Sequence, residues 1–371
     1  MSHSYRMPAE WEPHAATWLA WPHKRTDWPG RFSPIRWVYT EIIRAITRHE
    51  PVNLVVRGPK MRDAVSKRLT MASVDLAKVR FFELPTDRSW VRDSGPIFVR
   101  SDLVGTGVHA GAPDPKTELR SQTLGQEAPA RTPVPPKIAL DWRFNAWAKY
   151  DDWTQDDLLP AFAAKQVGVP VVQPIRNGHR VVLEGGSIDV NGQGLMLTTE
   201  ECLLSKVQER NPPFGRAEYE SVFAEYLGIE QAIWLNKGIA GDDTHGHVDD
   251  LARFVNATTV VAVDEKNSSD ANYAPLQENL ERLRAIPGLT TISLPMPAPI
   301  VFDGMRLPAS YANFYIANGI VIVPTFNDPA DRTALGILAD LFPDREVVGI
   351  HCGDLVWGLG TLHCMTQQEP E

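Results

Sequence analysis

Four short stretches of this chain gather the residue types that do chemistry. They are RSWVRDSGP (Arg88–Pro96), LEGGSID (Leu183–Asp189), GDDTHGHVDD (Gly241–Asp250) and GLGTLHCMTQQ (Gly358–Gln368). Each sets polar groups beside glycine, as a strand end does where the backbone must approach a ligand closely. Cys364 is the unusual member. A free cysteine is ordinarily a small buried hydrophobe, but Cys364 stands between glycines and a Thr-Gln-Gln run. That setting suits a nucleophile, which needs the thiolate. A free thiol supplies only a few per cent of it near neutrality, so a histidine or a bound cation has to raise the fraction. On a strand, adjacent side chains face opposite ways, so His363 is expected to point away from Cys364. Cys202 and Cys352 lie in more apolar or helix-like surroundings and read as structural.

His245, His247 and Asp249 alternate, and on an extended segment they would share one face. Such a face could hold a metal or do acid/base work. The H-x-H-x-D spacing is that of zinc hydrolases, but their pattern adds a histidine where Asp250 stands here, and only His351 and His363 remain downstream. No metal and no cofactor are therefore expected. Asp93 precedes Ser-Gly-Pro, and Glu184 ends an apolar run before two glycines. One such acid is ordinarily a turn or cap residue. Three of them with a cysteine and a histidine suit a buried planar cation attacked by sulfur. A guanidinium fits, because carboxylates accept its N–H pairs two at a time in bonds worth about 1.5–3 kcal/mol each.

The elements that must position these stretches alternate along the chain. Strands are expected over Val52–Gly58, Val79–Pro85, Pro96–Arg100, Arg180–Val190 and Gly194–Thr199. Hairpins are expected over Ala252–Asp264, turned at Asn256-Ala257, and over Tyr315–Pro324, turned at Asn318-Gly319. Helical patterns cover Pro34–His49, Thr154–Val167 and Arg216–Leu227. Leu276, Leu280 and Leu283 form one stripe and Leu335, Leu338 and Leu341 another. The rhythm of strand pairs and helices is that of repeated mixed α/β units, with no exact sequence repeat. Gly111–Lys137 is proline-rich and poor in large apolar residues, so a loop insertion is expected there. No boundary breaks the texture on either side, and residues 1–371 read as one domain.

Composition narrows the partners. The net charge of −9 argues against a nucleic-acid ligand and suits a small cationic one. Three cysteines in 371 residues do not make a disulfide framework, so a reducing compartment is expected. MSHSYRMPAEWEPH has no apolar core of a signal peptide, and no run of about 18 apolar residues occurs. The expectation is a cytoplasmic protein with no membrane partner.

The same stretches resemble the agmatine deiminase family, the Porphyromonas-type peptidyl-arginine deiminase group. The resemblance runs from MPAEWEPHAATWLAWP (Met7–Pro22) through SWVRDSGPIFV, DWRFNAWAKY (Asp141–Tyr150), LEGGSID and LTTEECLLS (Leu197–Ser205). It continues through GDDTHGHVDDLARF and ASYANFYIANGIVIVP (Ala309–Pro324) to GLGTLHCMTQQEP. It implies an α/β pentein fold: five ββαβ-type units about a pseudo-fivefold axis, with the site in the central cavity. It implies hydrolysis of a guanidinium to a ureido group and ammonia, with agmatine giving N-carbamoylputrescine on the route to putrescine. Carried over residue by residue, Cys364 is the nucleophile and His247 the general acid/base. Asp93 and Asp249 clamp the guanidinium, and Glu184 stands beside the histidine. Trp90 and Asp87 are expected to receive the substrate's far end. A homo-oligomer is allowed for.

This chain departs from the family pattern at Arg88, where an acid is common, and at Gly358-Leu359-Gly360-Thr361, where a glycine triplet and asparagine are usual. If Arg88 pointed into the cavity it would repel an ammonium and favour a carboxylate-bearing guanidine. An outward Arg88, with agmatine as substrate, is the expectation. Alternatives are deimination of free, peptidyl or substituted arginine, amidine transfer to an amine, and a non-catalytic pentein that only binds.

Overall fold

The structure is a computed structural model and describes residues 5–101 and 136–371. The proline-rich stretch expected over 111–137 lies outside these residues except for its last two, and Lys137 already opens a strand, Lys137–Leu140.

Five small sheets repeat one plan among the described residues. In each, an antiparallel pair is followed by a crossover to a third strand that runs parallel. Asp189–Val190 and Leu195–Thr199 pair antiparallel, then Gln231–Leu235 adds parallel. Ala252–Asn256, Thr259–Asp264 and Thr290–Pro295 repeat this, as do Tyr315–Ala317, Ile320–Thr325 and Glu346–His351. Ile97–Ser101, Lys137–Leu140 and Val171–Val172 make a fourth. In the fifth, the last strand of the chain, Gln367–Pro370, pairs antiparallel with His14–Ala20, which continues in parallel to Val52–Val56 and Val79–Glu83. Parallel neighbours need a crossover, and helices supply it. Phe32–Ile46, Leu159–Val167, Arg216–Leu227, Tyr273–Arg284 and Ala330–Leu341 each lie between such strands.

The helices stay in place because each buries one stripe. Leu276, Leu280 and Leu283 are all buried, as are Ile35, Tyr39, Ile42, Ile43 and Ile46. The Asn318-Gly319 hairpin forms where expected, with Gly319 at φ 71°, where a Cβ would press on the His49 ring. No described helix is long and apolar enough to cross a membrane.

Three local expectations are overturned. Arg180–Val190 is not one strand: only His179–Arg180 and Asp189–Val190 are extended partners, and Gly185–Ser187 is a 3₁₀ turn. The Asn211 side chain replaces a neighbouring strand there, accepting from Val182 N–H and donating to Val182 C=O, both at 2.8 Å. The segment around His247 is not extended either. His245 and Gly246 have φ of 65° and 96°, and Val248–Asp250 is a 3₁₀ turn. Cys364 sits on a single helical turn, Leu362–Met365, ahead of the terminal strand rather than on it.

That terminal strand joins the two ends of the chain through one carboxylate. Buried Glu369 accepts from Trp18 Nε1 at 2.9 Å, Asn53 Nδ2 at 3.0 Å and Lys137 Nζ at 2.7 Å. Removing it leaves a largely buried ammonium with the Pro370 carbonyl but no counter-charge, and two buried donors unpaired, at a cost of about 3–5 kcal/mol. Urea unfolding is expected to show that loss for Glu369→Ala and a smaller one for Glu369→Gln. Equal midpoints for Glu369→Ala and the parent chain would contradict this role.

Candidate active site

Short turns, not long strands, carry the reactive groups, and glycine lets them meet. Asp93 is on the turn Val91–Ser94, Glu184 precedes Gly185-Gly186, and His247 and Asp249 flank Val248. A Cβ on Gly186 would lie 2.5 Å from His247 Nδ1, 2.8 Å from Asp93 Oδ1 and 3.1 Å from Asp249 Oδ2. The missing side chain is thus the space in which three functional groups converge. A Cβ on Gly360 would lie 2.7 Å from the Trp90 ring and 3.1 Å from Cys364 Sγ, so that glycine clears the approach to the sulfur.

Cys364, Asp93 and Trp90 line a cavity of about 200 Å³, together with Asp27, Arg88 and Trp147. His247, Asp249 and Glu184 are buried immediately beside it. His247 Nδ1 is 3.7 Å from Asp93 Oδ1, and its Nε2 is 3.8 Å from Glu184 Oε2. Cys364 Sγ lies 3.8 Å from Asp249 Oδ2 and accepts from Asn313 Nδ2 at 3.2 Å. Asp93 accepts from Gly186 N–H at 3.1 Å and from Trp147 Nε1 at 2.9 Å. Both ring nitrogens of His247, Glu184 Oε2 and Asp249 Oδ1 are buried without a hydrogen-bond partner.

Charge is unevenly compensated here. Burial raises Asp93 to about 6, with Asp249 and Glu184 adding to the rise and His247 and the Trp147 N–H opposing it. Burial also opposes ionisation of Glu184, but Arg210, bonded through Nε at 3.0 Å, and His247 hold its carboxyl at about 2. Burial disfavours a charged His247, yet Asp93, Cys202 and Glu184 outweigh it and raise its pKa well above the usual imidazole value. Burial, then Asp249, Asp250 and Asp93, push the Cys364 thiol well above its ordinary value. The cavity therefore holds a protonated thiol among acids, one of which, Asp93, stands at about 6.

His363 does not face away from the site. Its Nδ1 is 2.7 Å from Asp249 Oδ2 and its Nε2 is 2.8 Å from Glu10 Oε2. On a helical turn the imidazole reaches the carboxylate that Cys364 also faces, so the strand argument fails with the strand. Asp249 is thereby held ionised: burial opposes its charge, but the His363 bond wins. Glu10 in turn pairs with Arg92 at 3.2 Å and Arg253 at 2.9 Å. Glu10, Arg92, Arg253, Arg210 and Asn313 lie within the motifs or close to them, but nothing in a local pattern assigns them partners on other elements, 26 residues away for Arg210 and Glu184 and 51 for Asn313 and Cys364.

Trp147 was missed for another reason. Ala146, Trp147 and Ala148 have φ of 49°, 59° and 53°, a left-handed turn without glycine. Each such residue costs about 1–2 kcal/mol. The turn aims the buried indole N–H at Asp93.

Two specificity expectations change. Asp87 does not line the cavity; its carboxylate accepts from Gln155 N–H at 2.8 Å. Arg88 does point inward. Its fork binds Asp27 Oδ1 at 2.6 Å and Asp152 Oδ1 at 2.8 Å, and its guanidinium lies 4.4 Å from the Tyr150 ring centroid. His245 leaves the group, bonding Ser205 Oγ at 3.0 Å, so H-x-H-x-D does not converge. Glu184, Cys202 and His247 do bring ligand atoms within 4.8 Å of one another, with Arg210 already on one Glu184 oxygen. Cys202, read as structural, is a buried neighbour of His247.

The profile of the Porphyromonas-type peptidyl-arginine deiminase family matches residues 6–370. An agmatine deiminase of Stutzerimonas stutzeri is 34% identical over 394 aligned positions, covering 99% of this chain and 95% of that protein. The solved agmatine deiminase of Enterococcus faecalis is similar with a TM-score of 0.83 at 30% identity, over 99% of this chain and 96% of that one. An agmatine deiminase of C. Jejuni solved with substrate bound gives 0.82 at 26% identity, over 100% of this chain and 98% of that one.

Gly186 can be tested apart from any chemistry. Gly186→Ala is expected to lower stability by about 1–3 kcal/mol in urea unfolding, because the methyl overlaps three fixed groups. Gly336→Ala, in the helix Ala330–Leu341 with open space around the new methyl, is the control and should gain about 0.5–1 kcal/mol. Equal effects of the two would mean that the groups around Gly186 are free to move apart.

Proposed function

The chain belongs to the Porphyromonas-type peptidyl-arginine deiminase family, and from that premise we propose that it hydrolyses the guanidinium of agmatine to N-carbamoylputrescine and ammonia through a covalent Cys364 adduct. The observation that carries this is a pair of buried acids beside the thiol that lack a cation. Asp249 Oδ1 has no partner and Asp93 has only neutral N–H donors bonded to it, while Asp249 and Glu184 raise Asp93, and Asp249, Asp250 and Asp93 raise the Cys364 thiol. A planar cation with five N–H donors supplies what these two acids lack.

Asp93 and Asp249 hold the guanidinium flat against Cys364, which turns attack into an intramolecular step. The arriving positive charge offsets the carboxylates that keep the thiol protonated, and the thiol gives its proton to solvent as the cation binds. The thiolate attacks the central carbon. Ammonia leaves with a proton from His247, which Asp93 and Glu184 keep charged for that purpose. Water then attacks the thiouronium carbon while neutral His247 takes one of its protons, and the thiolate departs as the remaining hydroxyl proton passes to the released ammonia, leaving the ureido product. Glu184 stays ionised throughout, anchored by Arg210, and acts on the ring rather than on the substrate.

The inward Arg88 does not exclude an ammonium at the far end. Arg88 and Lys24 are matched by Asp27 and Asp152, so the inward guanidinium is neutralised within its own cluster and the repulsion expected of it is offset. Trp90 and Trp147 give an aromatic wall beside them, which also favours a cation. The five similar sheets support the arrangement expected of a pentein: one catalytic domain, five units about a central cavity, closed where Gln367–Pro370 meets His14–Ala20. Three free cysteines and a charge of −9 suit a reducing cytoplasm and a small cationic partner rather than a nucleic acid.

Ammonia release from agmatine tests the reading directly. Cys364→Ser is expected to fold and bind but to release none, since a hydroxyl is far less acidic than a thiol. Turnover by that variant would contradict the covalent route, and no turnover by the parent chain on agmatine would contradict the substrate.

The pH profile tests the clamp. Asp93 must be ionised to bind the cation and stands at about 6 in the free enzyme. As pH falls through that value, kcat/KM is expected to fall about tenfold per unit. Trp147→Phe removes the N–H that favours the carboxylate, so this acid limb should move to higher pH. An unmoved limb would show that Asp93 does not govern it.

A further inference from the structure

A second cleft, of about 550 Å³, shares no lining residue with the first. Its walls come from four successive elements. Trp21 and His23 follow the strand His14–Ala20, and Arg57 follows the strand Val52–Val56. Phe32 and Arg36 stand on the helix Phe32–Ile46, and Lys60 and Arg68 on the helix Pro59–Met71. The two strands run parallel, so the cleft lies outside their carboxyl ends. That is where ligands settle in open α/β sheets.

The cleft is lined by cations and by no acid, in a chain whose net charge is −9. Among the described residues Arg36, Arg57, Lys60 and Arg68 form no ion pair, Arg36 and Arg68 lying only over the Phe32 and Trp37 rings, whereas the neighbouring Arg62 pairs with Asp63 and Glu83. Arg36 Nε and Arg68 Nη1 are buried and have no hydrogen-bond partner. Arg68 is held below its ordinary pKa by burial and by Arg36, a like charge facing it. The helix Pro59–Met71 begins here without a side-chain cap, so its positive end adds to the same field. Buried donors normally find partners, and guanidinium groups facing one another without a carboxylate point to an absent anion. Lysines and arginines spread over a solvated face would show neither the buried orphan atoms nor the repulsion.

The remaining wall is apolar. Phe32 and Met61 are half-buried beside Trp21, 4% exposed, and buried Val65, and the Arg36 guanidinium lies 5.6 Å from the Phe32 ring centroid. We propose that this cleft binds a small organic phosphate of the nucleotide class, its phosphates on Arg36, Arg57, Lys60 and Arg68 and its flat ring against Phe32 and Met61. Guanidinium and phosphate match in geometry as well as charge, and aromatic and apolar faces accept a planar ring. The site is independent of the deiminase chemistry and would stand if that reading failed.

Calorimetric titration of the full-length protein at about 0.15 M ionic strength with pyrophosphate, ADP and adenosine tests it. Pyrophosphate and ADP are expected to bind saturably, ADP about tenfold or more tighter, and adenosine alone not measurably. Arg36→Gln/Arg68→Gln is expected to weaken pyrophosphate at least about tenfold while thermal unfolding without ligand and ammonia release stay near those of the parent. No saturable binding of pyrophosphate or ADP, or binding undiminished in the double variant, would overturn the site. ADP binding no tighter than pyrophosphate would overturn the nucleotide class.

Discussion

The structure depends on how it holds buried negative charge. Asp93, Glu184, Asp249 and Glu10 are all nearly inaccessible and lie within one connected cluster. Isolated, such carboxylates would take up protons. Here each has a different answer. Glu184 is anchored by Arg210, Asp249 by His363, and Glu10 by Arg92, Arg253 and His363. Asp93 has no arginine or bonded histidine, only two neutral N–H donors and a histidine at 3.7 Å. That gradation makes Asp93 the least compensated of the four.

The packing follows from the same requirement. Buried ion pairs tolerate little displacement, because a charge that loses its partner inside a protein is costly. Accordingly the anchors come from other elements of the chain: Arg210 reaches Glu184, Arg253 reaches Glu10, and His363 ties Asp249 to the N-terminal segment. Separate elements are thereby fixed to one another, and the last strand closes against the first segments of the chain through Glu369. Glycine at 186 and 360 is the complement of these anchors, since a side chain at either position would press on the fixed groups.

Much of this was legible in the sequence, and for identifiable reasons. Leu276, Leu280 and Leu283 announced a buried helix stripe because a 3.6-residue period has one physical meaning. Asn318-Gly319 announced a hairpin because few residues accept the left-handed turn. Cys364, His247, Asp93, Asp249 and Glu184 stood out by type and by glycine neighbours, and they do lie around one cavity. What failed was local geometry. A strand reading puts His363 on the wrong side, because the segment is a helical turn. The resemblance implies Asp87 in the cavity and Arg88 outside it, and the structure has the reverse. One residue of difference in a turn exchanges inside for outside, and partners from other segments fix it: Asp156 on the backbone N–H of both residues, Gln155 on the Asp87 carboxylate, and Asp27 and Asp152 on the Arg88 fork. Partners such as Arg210 and Trp147 depend on contacts between segments that a periodicity cannot see.

Proton release on substrate binding measures the central claim most directly. Agmatine is titrated calorimetrically into Cys364→Ser, where no thiol can titrate, in two buffers of different ionisation heat across pH 5 to 8 as rough limits. A carboxylate at about 6 that must ionise to receive the cation gives up close to one proton on binding below that pH and none well above it. The account expects release that declines through about pH 6, with affinity rising over the same interval. Binding with no net proton release at any pH would contradict it, because Asp93 would then already be ionised in the empty cavity.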